Sequence, residues 1–314
     1  MALTANTLAT YETTGNREDL SDIIYMVDPT DTPMLTSIGE KDATAVLHEW
    51  QTISLDTASA SNAVLEGDEA TIDAANTTSR PSNTCQISDK VARVTGTQRA
   101  VNSAGRDDEL DFQVYLKTLA LRRDIDAALS QNNAEVTGDD TTARKLGGFE
   151  TWTATNVSRG TSGALTTGNG NTAPTDGTQR AFTETLLKAV LKLGWDNGAN
   201  FDLILLGSFN KQAMSTFTGN ATRMVGAEDQ ALYASIDVYK SDFGDCQVML
   251  SRQVRTRSAL VLQRDMAKCA WLRRVGMATL AKTGDADMKQ IIGEYTFEAC
   301  NPLALGVVAD LTTS

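Results

Sequence analysis

The chain has 314 residues, 41% of them hydrophobic, and 28 basic against 40 acidic side chains give a net charge of −12. That length suits one large or two intertwined domains, the apolar content excludes whole-chain disorder, and no apolar run approaches the ~20 residues of a membrane span. So acidic a chain is not expected to bind nucleic acid broadly by counterion release.

The first sixteen residues are small and polar and carry no Lys or Arg, which reads as a loose arm and not as a secretory signal. From the capping residue Asn16 onward, Leu20, Ile23, Ile24 and Val27 recur at helical spacing, with Glu18 and Asp19 at the positive end. A short amphipathic helix is expected there, stopped by Asp28-Pro29 and Thr32-Pro33 because a residue before proline avoids helical geometry. Such a helix cannot bury its own stripe and must dock. Residues 44–98 read as two strand-like flanks around a middle rich in Ala, Ser, Thr, Asn and Asp, with a negative tip at Glu66–Glu69. An isolated hairpin is marginal in water, so this projection is expected to rest on a neighbouring subunit. Residues 107–134 give the longest helical signal: Asp107, Asp108 and Glu109 open it, and Leu110, Val114, Leu121, Ile125 and Leu129 follow near-helical spacing. At ~1.5 Å per residue the rod would run about 40 Å. Residues 151–180, of which 19 of 30 are Thr, Ser, Gly or Asn, read as a surface loop or a strand-loop excursion.

From residue 181 the texture turns to compact α/β. A helix should place Leu186, Leu187, Val190, Leu191 and Trp195 on one face and end at Asn197-Gly198. The apolar run at 201–207 suits a covered strand. A helix capped by Ser208 should follow, with Phe209, Ala213 and Phe217 on its stripe, then two strands around Asp242–Asp245 and a strand at 258–265. The end reads as a long hairpin turning near Gly284-Asp285, with Ile291, Tyr295, Phe297 and Ala299 on one face of its return strand, and a final apolar segment from Pro302.

Little chemistry is visible. The sole histidine, His48, lies among alternating strand-like residues, so relays and metal sites that need histidine are disfavoured. The four cysteines, Cys85, Cys246, Cys269 and Cys300, lie far apart with no CxxC spacing, which fits a reducing compartment. There is no phosphate-binding GxxxxGK[ST], and 168–172 does not make GxGxxG after a strand. Residues 284–289 lack the acceptors of a calcium loop. No catalytic, cofactor-binding or metal residue is assigned, and no cofactor is expected. Seven cations, Arg252, Arg255, Arg257, Arg264, Lys268, Arg273 and Arg274, fall within 23 residues. They read either as a patch meeting an acidic part of another copy or as a solvated face with local pairs.

The order of parts resembles the major capsid (major head) proteins of tailed bacteriophages with the Hong Kong 97-type (Johnson) α+β fold. The residues that carry the likeness are 16–39, 94–110, 121–129 (LRRDIDAAL), 238–244 (VYKSDFG), 280–285 (LAKTGD) followed by 294–298 (EYTFE), and 306–314. The resemblance implies an N-terminal arm with a short helix at 1–43, an extended E-loop at 44–98, and a peripheral P domain at 99–174 with its spine helix at 107–134. It further implies a mixed α/β axial A domain at 175–263, the long P-domain hairpin at 264–302 with its tip at Thr283–Asp287, and a segment at 303–314 returning to the A domain. Function would then be self-assembly, as pentamers and hexamers, into the icosahedral head of a double-stranded DNA phage, without catalysis. Scaffolding, portal and cement proteins are further partners that the resemblance brings in. Packaged DNA would be touched weakly and without sequence specificity, no membrane is involved, and the product is a virion assembled in the bacterial host cytoplasm. Lys41 and Lys90 lie near the proposed E-loop, but no motif marks either for an isopeptide cross-link. An encapsulin-like compartment shell and a carboxylate-based hydrolase stay open as alternatives.

Overall fold

The computed structural model describes residues 24–70, 72–217 and 237–313. In chain order its elements are α1 (Pro33–Ser37), β1 (Gly39–Asp42), β2 (Leu47–Glu49), β3 (Ser82–Thr84), β4 (Gln86–Thr95), α2 (Gly96–Ala100), α3 (Glu109–Ser130), α4 (Phe149–Trp152) and β5 (Asn156–Ser158). There follow α5 (Glu184–Asp196), β6 (Leu203–Leu206), α6 (Ser208–Ser215), β7 (Val238–Ser241), β8 (Gly244–Leu250), β9 (Ala259–Leu262), β10 (Ala267–Thr279), β11 (Ala286–Ala299) and β12 (Leu305–Val308).

Runs that are apolar at every position need cover on both faces of a sheet. β6, β9 and β12 are such runs, and they form the centre of a six-stranded mixed sheet ordered β5-β12-β9-β6-β8-β7. Alternation splits their side chains between two cores. Ile204, Leu206 and Val261 join Leu187, Val190 and Leu191 of α5 and Met214 of α6. Leu203, Leu205, Leu260 and Leu262 turn to the other side, where they meet Leu121, Ile125 and Leu129 of α3 and Tyr295 and Phe297 of β11. The second sheet, ordered β1-β10-β11-β4, is the long hairpin flanked by a parallel edge strand on one side and antiparallel β4 on the other.

α3 begins where its charge pattern places it, with the Asp108 carboxylate accepting the Leu110 amide at 2.8 Å. It runs 22 residues, about 33 Å at 1.5 Å per residue, and so is shorter than the expected 107–134. Its last turn is closed by Ser130 and Gln131, whose side chains donate to the Gln253 carbonyl.

Several expectations are corrected. The helix expected from Asn16 begins outside the described residues, and its expected last turn, Ile24–Val27, is irregular and exposed. Pro33, taken as a stop, instead opens α1, where a missing N–H costs nothing. Within 44–98 the first flank holds only three strand residues, whereas the second pairs with β11 over ten and then turns into α2. Trp195 is 55% exposed; Gly194 takes the inner position because a Cβ there would stand 2.0 Å from the Phe201 ring. Gly207, not Ser208, occupies the α6 cap, and Asn210 and Lys211 share the buried side of that helix.

Candidate assembly surfaces

The projection between β2 and β3 has a rigid neck. Antiparallel pairing of Leu47–Glu49 with Ser82–Thr84 closes it, and a bridge between Thr52 and Ser79 marks its outer limit. Inside, His48 is buried, with Nε2 2.6 Å from Oε2 of Glu298 on β11. Lys41 of β1 donates to the other carboxylate oxygen at 3.0 Å. Burial pushes the Glu298 carboxyl up, but the hydrogen bonds from His48 and Lys41 outweigh it and hold its pKa at about 2. Asn83, fully buried, donates to the carbonyls of Gly147 (3.1 Å) and Phe297 (2.7 Å) and accepts from the Gly147 amide (2.8 Å). Trp50 packs on Trp152 with ring centroids 5.3 Å apart. Three separate chain segments thus converge on the neck, which fixes the direction in which the projection leaves the body.

Beyond Thr52 the described backbone carries no helix or strand until Ser79, and Ile53, Leu55, Val64, Leu65 and Ile72 point into solvent. Leu55 and Ile72 are 92% and 96% exposed. The strap before α1 is similar, with Tyr25 and Val27 uncovered. Single exposed apolar side chains are ordinary, but a row of them on one projection marks an interaction surface. The strap is fastened by α1, which buries Met34 and Leu35 and offers the Leu35 amide to Oδ1 of Asp126 on α3 at 2.7 Å. Burial pushes the Asp126 carboxyl up to about 6 against the pull of the Leu35 and Met34 amides.

A groove lies beside α1. An open groove of about 500 Å³ runs between α1, α3 and β10, with Leu35, Ile38, Ile125 and Trp271 along it and Arg122 at its rim. The Trp271 indole N–H is buried without a partner.

The basic run resolves mainly into pairs within the chain. Arg255 bridges fully buried Glu150 (3.0 Å) and Asp176 (2.7 Å), and Arg257 bridges Asp176 and Asp310 (both 3.1 Å). Asp310, at φ 59°, also accepts the amides of Gly160 and Gly177. This cluster bolts the 151–180 segment, a strand-loop excursion that contains β5, to the end of β12. Arg264 pairs with Asp202, Arg273 with Glu294, and Arg274 with Glu40 and Asp42. Lys41 and Lys90 are likewise engaged, by Glu298 and by Asp124. At 284–289, Asp287 is held by Arg99 and Lys282. Burial raises the thiols of Cys85 and Cys246 to about 11 and shifts Cys269 and Cys300 upward as well, which leaves them poor nucleophiles.

The sequence missed β1, the edge strand that aims Lys41, and Glu298, whose place in an alternating strand marks it as inward or outward but not as the partner of His48. The sequence offered a lone histidine in one strand and, in another, an acid on the face that alternation reads as polar, with Ile292, Glu294 and Thr296; the structure corrects that reading, since Glu294, Thr296 and Glu298 are all buried.

A family model described as SU10 major capsid protein matches residues 5–312. A major capsid protein of Escherichia phage Phieco32 is 30% identical over 124 residues, 40% of this chain and 35% of that protein, so the match spans about a third of the relative's length. The cyanophage A-1(L) capsid asymmetric unit superposes with a TM-score of 0.69 at 13% identity, over 98% of this chain and 100% of that one. The capsid of a native GTA particle gives 0.65 at 13% over 98% and 100%, and a chain from Gordonia phage Cozz 0.62 at 11% over 99% and 98%. At such identities the likeness shows the fold alone, the Hong Kong 97-type α+β fold.

Proposed function

The chain belongs to the SU10 major capsid protein family, and from that premise we propose that its copies close into an icosahedral head shell around double-stranded DNA. The observation that carries this reading is the row of uncovered apolar side chains, Ile53 to Ile72, held out on a neck that three segments of the chain immobilise. Aliphatic side chains so displayed gain about 1.5–3 kcal/mol each when another surface covers them. In the assembled shell the projection acts as the E-loop and seats on the neighbouring copy's groove beside Trp271. Its residues Val64 to Glu69 supply both apolar and acidic groups, which suit the apolar side chains of the groove and Arg122, which has no carboxylate partner among the described residues. The hairpin sheet with α3 serves as the peripheral P domain, the six-stranded sheet as the axial A domain gathered around the five-fold and six-fold positions, and the strap as the inner end of the N-arm. The role is structural and not catalytic. Scaffolding, portal and cement proteins would meet this shell in the host cytoplasm.

Two measurements test the reading. Sedimentation of the purified chain should give capsomers or megadalton particles, and particles from a producing host should contain nuclease-protected DNA. Deleting Asp56–Thr77, which spares the Thr52–Ser79 bridge and β3, should leave a folded subunit that no longer forms shells. A wild-type chain that stays a small oligomer at all concentrations sinks the proposal.

A further inference from the structure

Resting on the shell reading above, we infer that one stripe of α3 is the surface this protein turns toward the phosphate backbone of double-stranded DNA. The argument starts from charge accounting. In a chain of net charge −12, most described cations are tied to carboxylates of the same chain. Among the described residues Arg93, Lys117, Arg122, Arg123, Lys145, Arg159, Arg180, Arg252 and Lys268 have no carboxylate within ion-pair distance, and of these Lys117, Arg123 and Arg252 lie together.

These three fall on one surface. Lys117 and Arg123 line an open depression of about 260 Å³, and Arg123 and Arg252 line a second of about 470 Å³. The two share Ala120 and Arg123, so they form one trough along the helix from Gln113 to Gln131, about 27 Å at 1.5 Å per residue. Its carboxylates are Asp28 and Asp124, and Asp124 is already neutralised by Lys90 at 2.6 Å. Three cations therefore face one free acid.

The opposite side of the hairpin sheet differs. There Arg144 and Arg273 both hold Glu294, at 2.6 and 2.8 Å, and Arg93 is turned to the Thr283 carbonyl. The cationic side is the one where α3 covers the sheet, next to the strap. A B-DNA strand carries one phosphate per ~3.4 Å of axis, so a trough of this length meets several. Two of the three cations are arginines, whose planar forks suit phosphate oxygens. Contacts of this kind hold the backbone without reading sequence, and the acidic remainder of the subunit keeps DNA off other surfaces.

The test uses full-length subunits and a fluorescein-labelled duplex of ~20 bp, titrated between about 50 and 200 mM NaCl. Three phosphate contacts give a slope near −2.7 in log K against log salt, about a 40-fold weakening over that range. The Lys117→Gln/Arg123→Gln/Arg252→Gln variant should still form shells while its affinity changes less than about 3-fold over the same range. Lys117→Gln and Arg252→Gln singly should each lower the slope by about 0.9, which keeps the test open should the triple variant fail to fold. A control that removes equal charge elsewhere, Lys188→Gln/Lys192→Gln/Lys240→Gln, should keep the wild-type slope. If the control loses as much as the stripe variant, binding follows net charge and the proposal falls. It falls also if polyglutamate displaces the duplex at equal charge concentration, since the trough then takes an acidic protein segment. An unchanged slope in variants that still assemble removes the DNA-facing stripe and leaves the shell standing, whereas absence of wild-type shells removes the shell reading itself.

Discussion

Replacing Leu55, Leu65 and Ile72 with serine separates folding from assembly. All three are at least 78% exposed in the subunit, so the folded chain loses almost no packing and its stability should move by no more than about 0.5 kcal/mol. The effect on assembly is larger. Full burial of three aliphatic side chains on a neighbour is worth roughly 6 kcal/mol gross. The cost of ordering the segment is common to both chains and cancels, and burial of about half of that apolar surface at the contact leaves about 3 kcal/mol per subunit. At about 1.4 kcal/mol per tenfold, the concentration threshold for shell formation should rise about 100-fold. Light scattering against protein concentration reads that threshold, and a thermal melt of the dispersed subunit reads stability. The reasoning is refuted if the melt falls by several degrees, because the side chains then belong to the subunit's own core. An unchanged threshold refutes it equally, because the projection then docks on nothing.

Three further predictions concern buried charge. Glu298 has a folded pKa of about 2 against 4.5, so its stabilisation is complete above pH ~4.5 and disappears as pH falls toward 2; the depression corresponds to about 3 kcal/mol. Urea unfolding of Glu298→Gln should show that much less acid sensitivity than wild type between pH 6 and 2, and equal sensitivity in both would remove the node from the stability argument. Asp126 has the opposite sign. Its pKa is raised to about 6 from 3.8, so the native state takes up a proton first, and its destabilising effect, full above pH 6, is relieved as pH falls toward 4. Asp126→Asn keeps an acceptor for the Leu35 amide while removing the buried charge, and should flatten the pH dependence between 4 and 6. Asp126→Ala should instead cost about 1–3 kcal/mol through unpaired amides, read by the same melts. Arg255→Met strands Glu150 without its principal cation and should cost about 3–5 kcal/mol, much of it recovered in the Glu150→Gln/Arg255→Met double variant when both are measured by chemical denaturation.

What was legible in the sequence follows from how local each signal is. α3 could be read because charge at its start and apolar spacing along it act within a turn or two. β6 and β9 could be read because a run covered on both faces is apolar at every position. β1 could not: Gly39–Asp42 has polar side chains and is a strand only because β10 offers it a parallel edge far along the chain, in register with Lys268 to Trp271. The basic run at 252–274 had two readings because spacing cannot say where Asp176, Glu150 and Glu40 lie. Folding brings those acids to the arginines and decides for local pairs. The 151–180 segment was legible in part: it holds β5 and a bridge between Ala164 and Thr175, as a strand-loop excursion would, but composition could not show what fastens it. Its composition is that of a loop, but Asp310 and Arg257, far along the chain, bind its amides and carboxylate and press it against the sheet.

That consumption of charge bears on how copies meet. Ion pairs between exposed partners are weak and screened by salt, and here most are made within the subunit, so electrostatic attraction between copies is confined to a few cations such as Arg122. What is left uncovered is apolar: Tyr25 and Val27 on the strap, Ile53 to Ile72 on the projection, and the floor of the groove beside Trp271. Apolar burial is non-directional. It tolerates small changes in the angle between neighbours that a bidentate ion pair would not, and a closed shell built from one kind of chain needs such tolerance where five copies meet and where six meet. Direction is supplied instead by the neck, where His48, Asn83 and Trp50 are locked to the body. The subunit thus divides its tasks physically, with specificity held by buried hydrogen bonds at the root of each projection and adaptability held by aliphatic side chains at its end.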